Sequence, residues 1–236
     1  KPLGPEDKYP FEMGCLRLST NHISLGRVSH DSKGVSTMTI YNSCDQPVMI
    51  KGMEFDGKHV TYEIEGPEKL EKKGDTTVVK VTYDAAQVDD FGFIHSSGNL
   101  MTDDEQMAEK RLYVSANIYE DFSSLTPEEL QNAPVMAIDQ TMKDFGQVEQ
   151  DAKLTHTFSL TNKGKRPLKI RKLKTNCPCV TTEIDGMEIA PGESKDLEVT
   201  FDTKGRRSYT AQNVTVISND PKNSSTRLIM KAQVQQ

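Results

Sequence analysis

Apolar and polar residues alternate along this chain. Leu154, His156, Phe158 and Leu160 are interleaved with Thr155, Thr157, Ser159 and Thr161. Val79, Val81 and Tyr83 alternate in the same way, as do Leu197, Val199 and Phe201. A period of two predicts strands with one face on a core and the other in water. Leu112, Val114, Ala116 and Ile118 predict a closing strand for the first half, and Leu228, Met230, Ala232 and Val234 one for the second. Valine and threonine on these runs suit a pleated, half-buried surface. His156 sits on the apolar side of its run and reads as a core histidine.

Turn clusters separate the runs, at residues 42–47, 162–167, 190–193 and 218–221. Each is rich in Asn, Asp, Gly, Pro or Ser, the residues that accept turn geometry. Residues 120–134 break the alternation. There Thr126-Pro127-Glu128-Glu129 predicts one helical turn, with a capping threonine, a proline at the first position and a glutamate three residues on.

The pattern is written twice. Residues 25–53 overlay residues 145–173 at a constant shift of 120. Gly26 and Val28 fall on Gly146 and Val148, Asp31 on Asp151, Lys33 on Lys153, Thr37 on Thr157, Asn42 on Asn162 and Pro47 on Pro167. The register resumes at a shift of 118, where Val81 to Asp84 meet Val199 to Asp202, and at 116, where Arg111-Leu112 meet Arg227-Leu228. Each copy holds about seven short strands, the signature of an immunoglobulin-like sandwich. The expected fold is therefore all-β: two tandem immunoglobulin-like β-sandwiches joined by a short linker with one helical turn. The expected boundaries are a flexible lead over 1–13, a first domain over 14–119, the linker over 120–134 and a second domain over 135–236. A chain of 236 residues suits two domains, each long enough to bury a core.

Charge narrows the partners. The formal net charge is −6, with 29 basic and 35 acidic residues mixed throughout. No basic stripe is available to displace counterions from phosphates, so nucleic acid is excluded as a partner. The densest basic stretch, Lys163 to Lys174, alternates with Leu168, Ile170 and Leu173 and reads as the wet face of a strand. No apolar run approaches the length of about 20 residues needed to span a membrane. The chain begins at Lys1 rather than Met, which fits removal of an upstream segment; a cleaved export signal is one source and a cloning choice another. There is no Trp, so the Cys…Trp…Cys pattern of antibody domains is absent.

Four cysteines carry the candidate chemistry. Cys177 and Cys179 flank Pro178 in a turn between two strands. Two thiolates one residue apart can chelate a soft ion such as Cu(I) or Zn, or exchange with another protein's disulfide. Alternatively they are small packing residues, or a local disulfide whose Cα atoms lie near the lower geometric limit and which is therefore reducible. The first copy holds Gly57-Lys58-His59 in the same register, so the fold does not require the thiols. Cys15 begins the first strand and Cys44 lies just past the end of the second. Antiparallel pairing of those strands would place the two side by side, as a disulfide closing a loop of about 30 residues. Two unpaired thiols are the alternative, because cysteine use this sparse does not itself demand an oxidising compartment.

No nucleophile elbow, zinc-protease helix, phosphate loop or dinucleotide fingerprint is present, so no enzyme is expected. Asp89-Asp90 and Asp103-Asp104-Glu105 lack the spacing and glycine of a calcium loop. The second cluster reads as a solvated hairpin tip. No cofactor is expected beyond a soft metal ion at Cys177 and Cys179.

One ordered string has a family resemblance. Asp144-Phe145-Gly146-x-Val148 is followed by Thr157-Phe158, Asn162-x-Gly164 and Pro167-Leu168. Then come Asn176-Cys177-Pro178-Cys179, Ala190-Pro191-Gly192 and Val199-Thr200-Phe201. The string resembles a bacterial family catalogued only as a domain of unknown function, number fifteen seventy-three. That family is similar to the Hydin/major-sperm-protein group of immunoglobulin-like domains. The resemblance covers residues 136–233; the first copy keeps Gly26, Val28, Asn42 and Pro47 but has no Cys-x-Cys. It implies no activity. It does imply an exported, envelope-associated protein, periplasmic or at the cell surface, since members commonly carry export or lipoprotein signals. A lipid anchor upstream of Lys1 is part of that implication. The expected function is a non-enzymatic, exported binding or scaffold module of the bacterial cell envelope, with a protein partner. The alternative is a metal-binding or thiol-exchange protein using Cys177-Pro178-Cys179.

Overall fold

The computed structural model describes residues 4–235. The chain divides into two compact units, Lys1–Tyr119 and Glu120–Gln236, which group residues 120–134 with the second copy. The fold is the expected one, two tandem immunoglobulin-like β-sandwiches with a single helical turn in the linker.

In the first unit, one sheet runs in the order Phe11–Met13, Leu16–Leu18, Lys33–Asn42, Thr76–Asp84, Val60–Glu65. The facing sheet runs His22–Ser29, Glu109–Tyr119, Gly92–Thr102, Val48–Phe55, Lys69–Leu70. The second unit repeats the plan with sheets Met136–Ile138, Lys153–Asn162, Ser194–Asp202, Val180–Ile184 and Met142–Val148, Ser225–Val234, Ser208–Ser218, Leu168–Thr175, Glu188–Ile189. The alternating residues supply the cores. Val79, Val81, Leu112 and Val114 are fully buried in the first unit, and Phe158, Leu160, Val199 and Phe201 in the second. The strand pattern of Lys163 to Lys174 slips at a bulge between Ile170 and Lys172. Leu168 and Ile170 point inward before the bulge, and Leu173 is only partly buried after it.

The identities shared by the two copies mark places where the sandwich needs a specific residue. Gly26 and Gly146 each sit at φ +66°. Both lie where an early strand, paired parallel to the closing strand of its unit, breaks register. An L side chain is strained there, so glycine is the residue that bends the strand. Asn42 and Asn162 are both completely buried. The Asn42 amide donates to the carbonyls of Gln46 and Leu70 at 2.8 and 3.1 Å, and the Asn162 amide to those of Arg166 and Ile189 at 2.8 and 3.0 Å. Their side-chain oxygens accept from the backbone N–H of Cys44 and Gly164 at 3.0 and 2.9 Å. One asparagine thus ties a turn to a short strand on the opposite sheet in each copy.

The linker helix is Pro127–Gln131. Thr126 accepts from the Glu129 N–H at 3.2 Å, and Glu129 accepts from the Thr126 N–H at 2.9 Å, which is a closed capping box.

Two expectations change. The lead over 1–13 was expected to be flexible; of these residues, 1–3 lie outside the described residues. The others carry a helical turn, Pro5–Lys8, and the strand Phe11–Met13 paired antiparallel with Leu16–Leu18. Tyr9 stacks on Tyr41 with ring centroids 5.0 Å apart, which fastens the segment to the first sheet. The second change is at Asp103-Asp104-Glu105, expected to be a solvated tip. Asp104 is buried and receives the ammonium of Lys110, itself fully buried. Asp103 is also engaged, accepting from the Met49 N–H at 2.7 Å.

Candidate functional site

The Cys177-Pro178-Cys179 motif forms a β-turn leading into the edge strand Val180–Ile184. The Val180 N–H closes it on the Cys177 carbonyl at 3.1 Å, with Pro178 at the second position, where its fixed φ is already suited. Asn176 holds the entrance, its side chain accepting from the Asn213 N–H at 2.9 Å. The Cys179 carbonyl accepts from the Asp202 N–H at 2.9 Å and holds the exit. Cys177 and Cys179 are disulfide-bonded to each other, with Cα atoms 5.1 Å apart, inside the ordinary range rather than at its lower edge. Both are half-buried; Cys179 packs against the core of its unit.

A neighbouring loop brings a cation to these sulfurs. Residues 203–207 connect the strands Ser194–Asp202 and Ser208–Ser218. Thr203, fully buried, anchors the loop: its hydroxyl donates to the Ala152 carbonyl at 3.0 Å and accepts from the Ala152 N–H at 2.9 Å. The Arg206 N–H then closes a turn on the Thr203 carbonyl at 2.9 Å. From that position Arg206 Nη2 donates to Cys177 Sγ at 2.9 Å and to Cys179 Sγ at 3.3 Å. The Cys179 backbone N–H also donates to Cys177 Sγ, at 3.1 Å. Beside the pair lies an open hollow of about 310 Å³ lined by Cys179, Pro178, Lys153, Lys204, Asp202 and Thr200. Arg206 was not singled out from the sequence.

Cys15 and Cys44 have a different setting. They are disulfide-bonded, with Cα atoms 5.2 Å apart. Cys15 is 5% exposed and belongs to the core of the first unit. The strand Leu16–Leu18 pairs antiparallel with the end of Lys33–Asn42, so Leu16 faces Asn42 and the two cysteines lie just beyond that pairing. The Cys15 carbonyl accepts from the Ser43 N–H and the Cys15 N–H donates to Asp104, so the Cys15 end is held on both sides, while Cys44 is half-buried.

Among the described residues, no group of three or more His, Cys, Asp or Glu side chains could hold a metal ion. Two sulfurs bonded to each other offer no thiolate to a metal; a soft ion at Cys177 and Cys179 requires the reduced pair. His156 is half-buried, sharing a 2.9 Å hydrogen bond with Gln140 and meeting the Phe158 ring edge-on. Burial, with Lys143 nearby, pushes its pKa down, against the opposing pull of Asp139. No helix among the described residues is long and apolar enough to cross a membrane.

The fold places the protein among immunoglobulin-like sandwich proteins. Residues 136–234 match the model of the family described as Protein of unknown function (DUF1573), which bears out the resemblance read from the string Asp144 to Phe201. A solved protein of unknown function from Porphyromonas gingivalis shares the fold. It is 20% identical, with 93% of this chain and 100% of that chain covered and a TM-score of 0.64. Weaker likenesses, which carry no argument, include PapD-like domain 7 of human CEP192 and the YadV chaperone. The first is 15% identical, covers 50% of this chain and 98% of that one, and has a TM-score of 0.38. The second is 14% identical, covers 91% and 99%, and has a TM-score of 0.34. No curated protein matches the chain.

Proposed function

We propose that the protein is a non-enzymatic binding or scaffold module, exported to the bacterial cell envelope, that engages a protein partner. The observation that carries this reading is an open groove of about 380 Å³ in the second unit. Phe122, Leu125, Ala133, Pro134, Pro167 and Pro221 give it apolar surface, and Glu120, Glu129, Arg166 and Lys169 give it charge of both signs. Phe122 and Arg166 are of the residue types enriched where proteins meet, which suits the groove to protein recognition. A bidentate pair between Arg171 and Glu120, at 2.7 and 2.8 Å, holds one wall in place before any partner arrives. Export is supported by the two disulfides, since such bonds persist in oxidising compartments.

A photo-crosslinking side chain at Leu125, used in the envelope of the source cells, tests it. The reading expects discrete protein adducts that Phe122→Ala weakens. Adducts indifferent to groove substitutions, or turnover of any substrate lost on a single substitution, would sink it.

A second reading, thiol exchange at Cys177 and Cys179, is favoured by one specific observation, the Arg206 guanidinium donating to both sulfurs.

A further inference from the structure

The two sulfurs of the Cys177–Cys179 pair are not equivalent. Cys177 Sγ takes the shorter contact from Arg206, 2.9 against 3.3 Å, and the Cys179 N–H as well. A guanidinium and a backbone donor both favour a thiolate over a thiol. In exchange, the sulfur whose thiolate is better stabilised leaves faster. Cys179 borders the hollow, together with Lys153, Lys204 and Asp202; the two cations outnumber the one carboxylate and favour an approaching thiolate. Cys177 does not line that hollow.

We propose that the Cys177–Cys179 disulfide is an exchange site for the cysteine thiols of an exported protein, in which Cys179 is attacked from the hollow and Cys177 departs toward Arg206. The proposal rests on the thiol-exchange reading and adds the partner class, the attacked atom and the role of Arg206. A partner thiolate attacks Cys179 Sγ; a bond from partner sulfur to Cys179 forms, the Cys177–Cys179 bond breaks, and its electron pair stays on Cys177. A second partner thiolate then attacks the partner sulfur of that mixed disulfide, and Cys179 leaves as a thiolate. A partner dithiol is oxidised to a disulfide and the Cys177/Cys179 pair is reduced to a dithiol, two electrons passing between them. The two protons given up by the partner thiols balance those taken by Cys177 and Cys179. Each event consumes one equivalent of the pair, so the reaction is stoichiometric and compatible with a binding module that has no turnover.

The folded full chain, both disulfides intact, is treated at pH 7 with reduced glutathione as the probe. The reaction is quenched at intervals with N-ethylmaleimide and mapped by peptide mass spectrometry. The expected result is that Cys177–Cys179 opens while Cys15–Cys44 stays closed, with glutathione on Cys179 and maleimide on Cys177. Arg206→Gln slows the opening roughly tenfold and Arg206→Lys restores most of the rate. Mapping the unsubstituted chain needs no variant, so the assignment is tested even if Arg206→Gln does not fold. Opening with glutathione on Cys177, or at an unchanged rate in a folded Arg206→Gln protein, overturns the proposal and leaves the exchange reading standing. A pair that stays closed until the protein unfolds removes both.

Discussion

Lys110 and Asp104 form an ion pair sealed from water. Lys110 Nζ lies 2.9 Å from Asp104 Oδ2, and the two side chains are 0% and 1% exposed. Lys110 also donates to the Thr102 hydroxyl at 3.0 Å and to the Met107 carbonyl, while Asp104 accepts from the N–H groups of Cys15 at 2.8 Å and Gln106 at 3.0 Å. Every formal charge in the cluster has a partner, which is the condition under which buried charge is tolerated. Lys110→Met leaves the carboxylate buried and unpaired. It is expected to destabilise the first unit by about 3–5 kcal/mol. Denaturant-dependent hydrogen exchange on peptides from residues 11–119 checks this, with peptides from the second unit unchanged.

The same carboxylate makes the first unit acid-sensitive. Burial opposes ionisation of Asp104, but the hydrogen bond from Lys110 and those from the Cys15 and Gln106 backbone outweigh it and hold the carboxyl below its usual range. A depressed folded pKa contributes stability that is complete above the unfolded value, about 3.9, and is lost as pH falls through the folded value. Acid titration of exchange protection should show this loss in the first unit, and Asp104→Asn should flatten it.

His156 gives the second unit a pH dependence in a different window. Its folded pKa is lowered, chiefly by burial, so between that value and about 6.5 the unfolded chain binds more protons. Stability should rise with pH through this window and level off on either side of it, where the two states bind the same number of protons. Thermal melts of the full chain from pH 5 to 8 should show the second unit's transition moving upward with pH, and His156→Gln should remove the slope.

Asn42 and Asn162 predict equal behaviour in separate units. Truncation to Ala removes the partner of two carbonyls in each case, and of one backbone N–H at Asn42 and two at Asn162, costing at least about 2 kcal/mol. Asn42→Ala should loosen the first unit alone and Asn162→Ala the second alone, read by the same exchange experiment.

Loss of the Cys15–Cys44 disulfide should also be confined. Replacing Cys15 and Cys44 together by Ser is expected to cost about 2–4 kcal/mol, because the unfolded chain regains the loop entropy that the bond removes. A calorimetric scan that found both units affected would contradict the separation of the two cores.

The repeat was readable because the sandwich demands particular residues at particular places. Gly26 with Gly146, and Asn42 with Asn162, keep their spacing across the copies; that these positions are bends and tied turns is visible only in the structure. That Cys15 and Cys44 lie side by side is readable from strand pairing, which is local once the strands are assigned; whether they bond or stay as two thiols is not. Lys110 was missed although a signal existed. It continues the inward period of Leu112, Val114, Ala116 and Ile118, where a charged side chain needs a buried partner. Arg206 carried no such signal. It is 27 residues from Cys179 in sequence, on a loop whose approach depends on how Thr203 fastens to Ala152. Contacts between loops at one end of a sandwich come from tertiary closure, not from periodicity.

The most direct test of an exported binding module is made in the source cells. Thiols are blocked in intact cells by a permeant alkylating agent, the cells are fractionated, and the four cysteines are read by mass spectrometry before and after reduction. The proposed function predicts the chain in the envelope fraction, with Cys15 and Cys44 unlabelled until reduced. A chain recovered from the cytoplasmic fraction with all four cysteines labelled would contradict it.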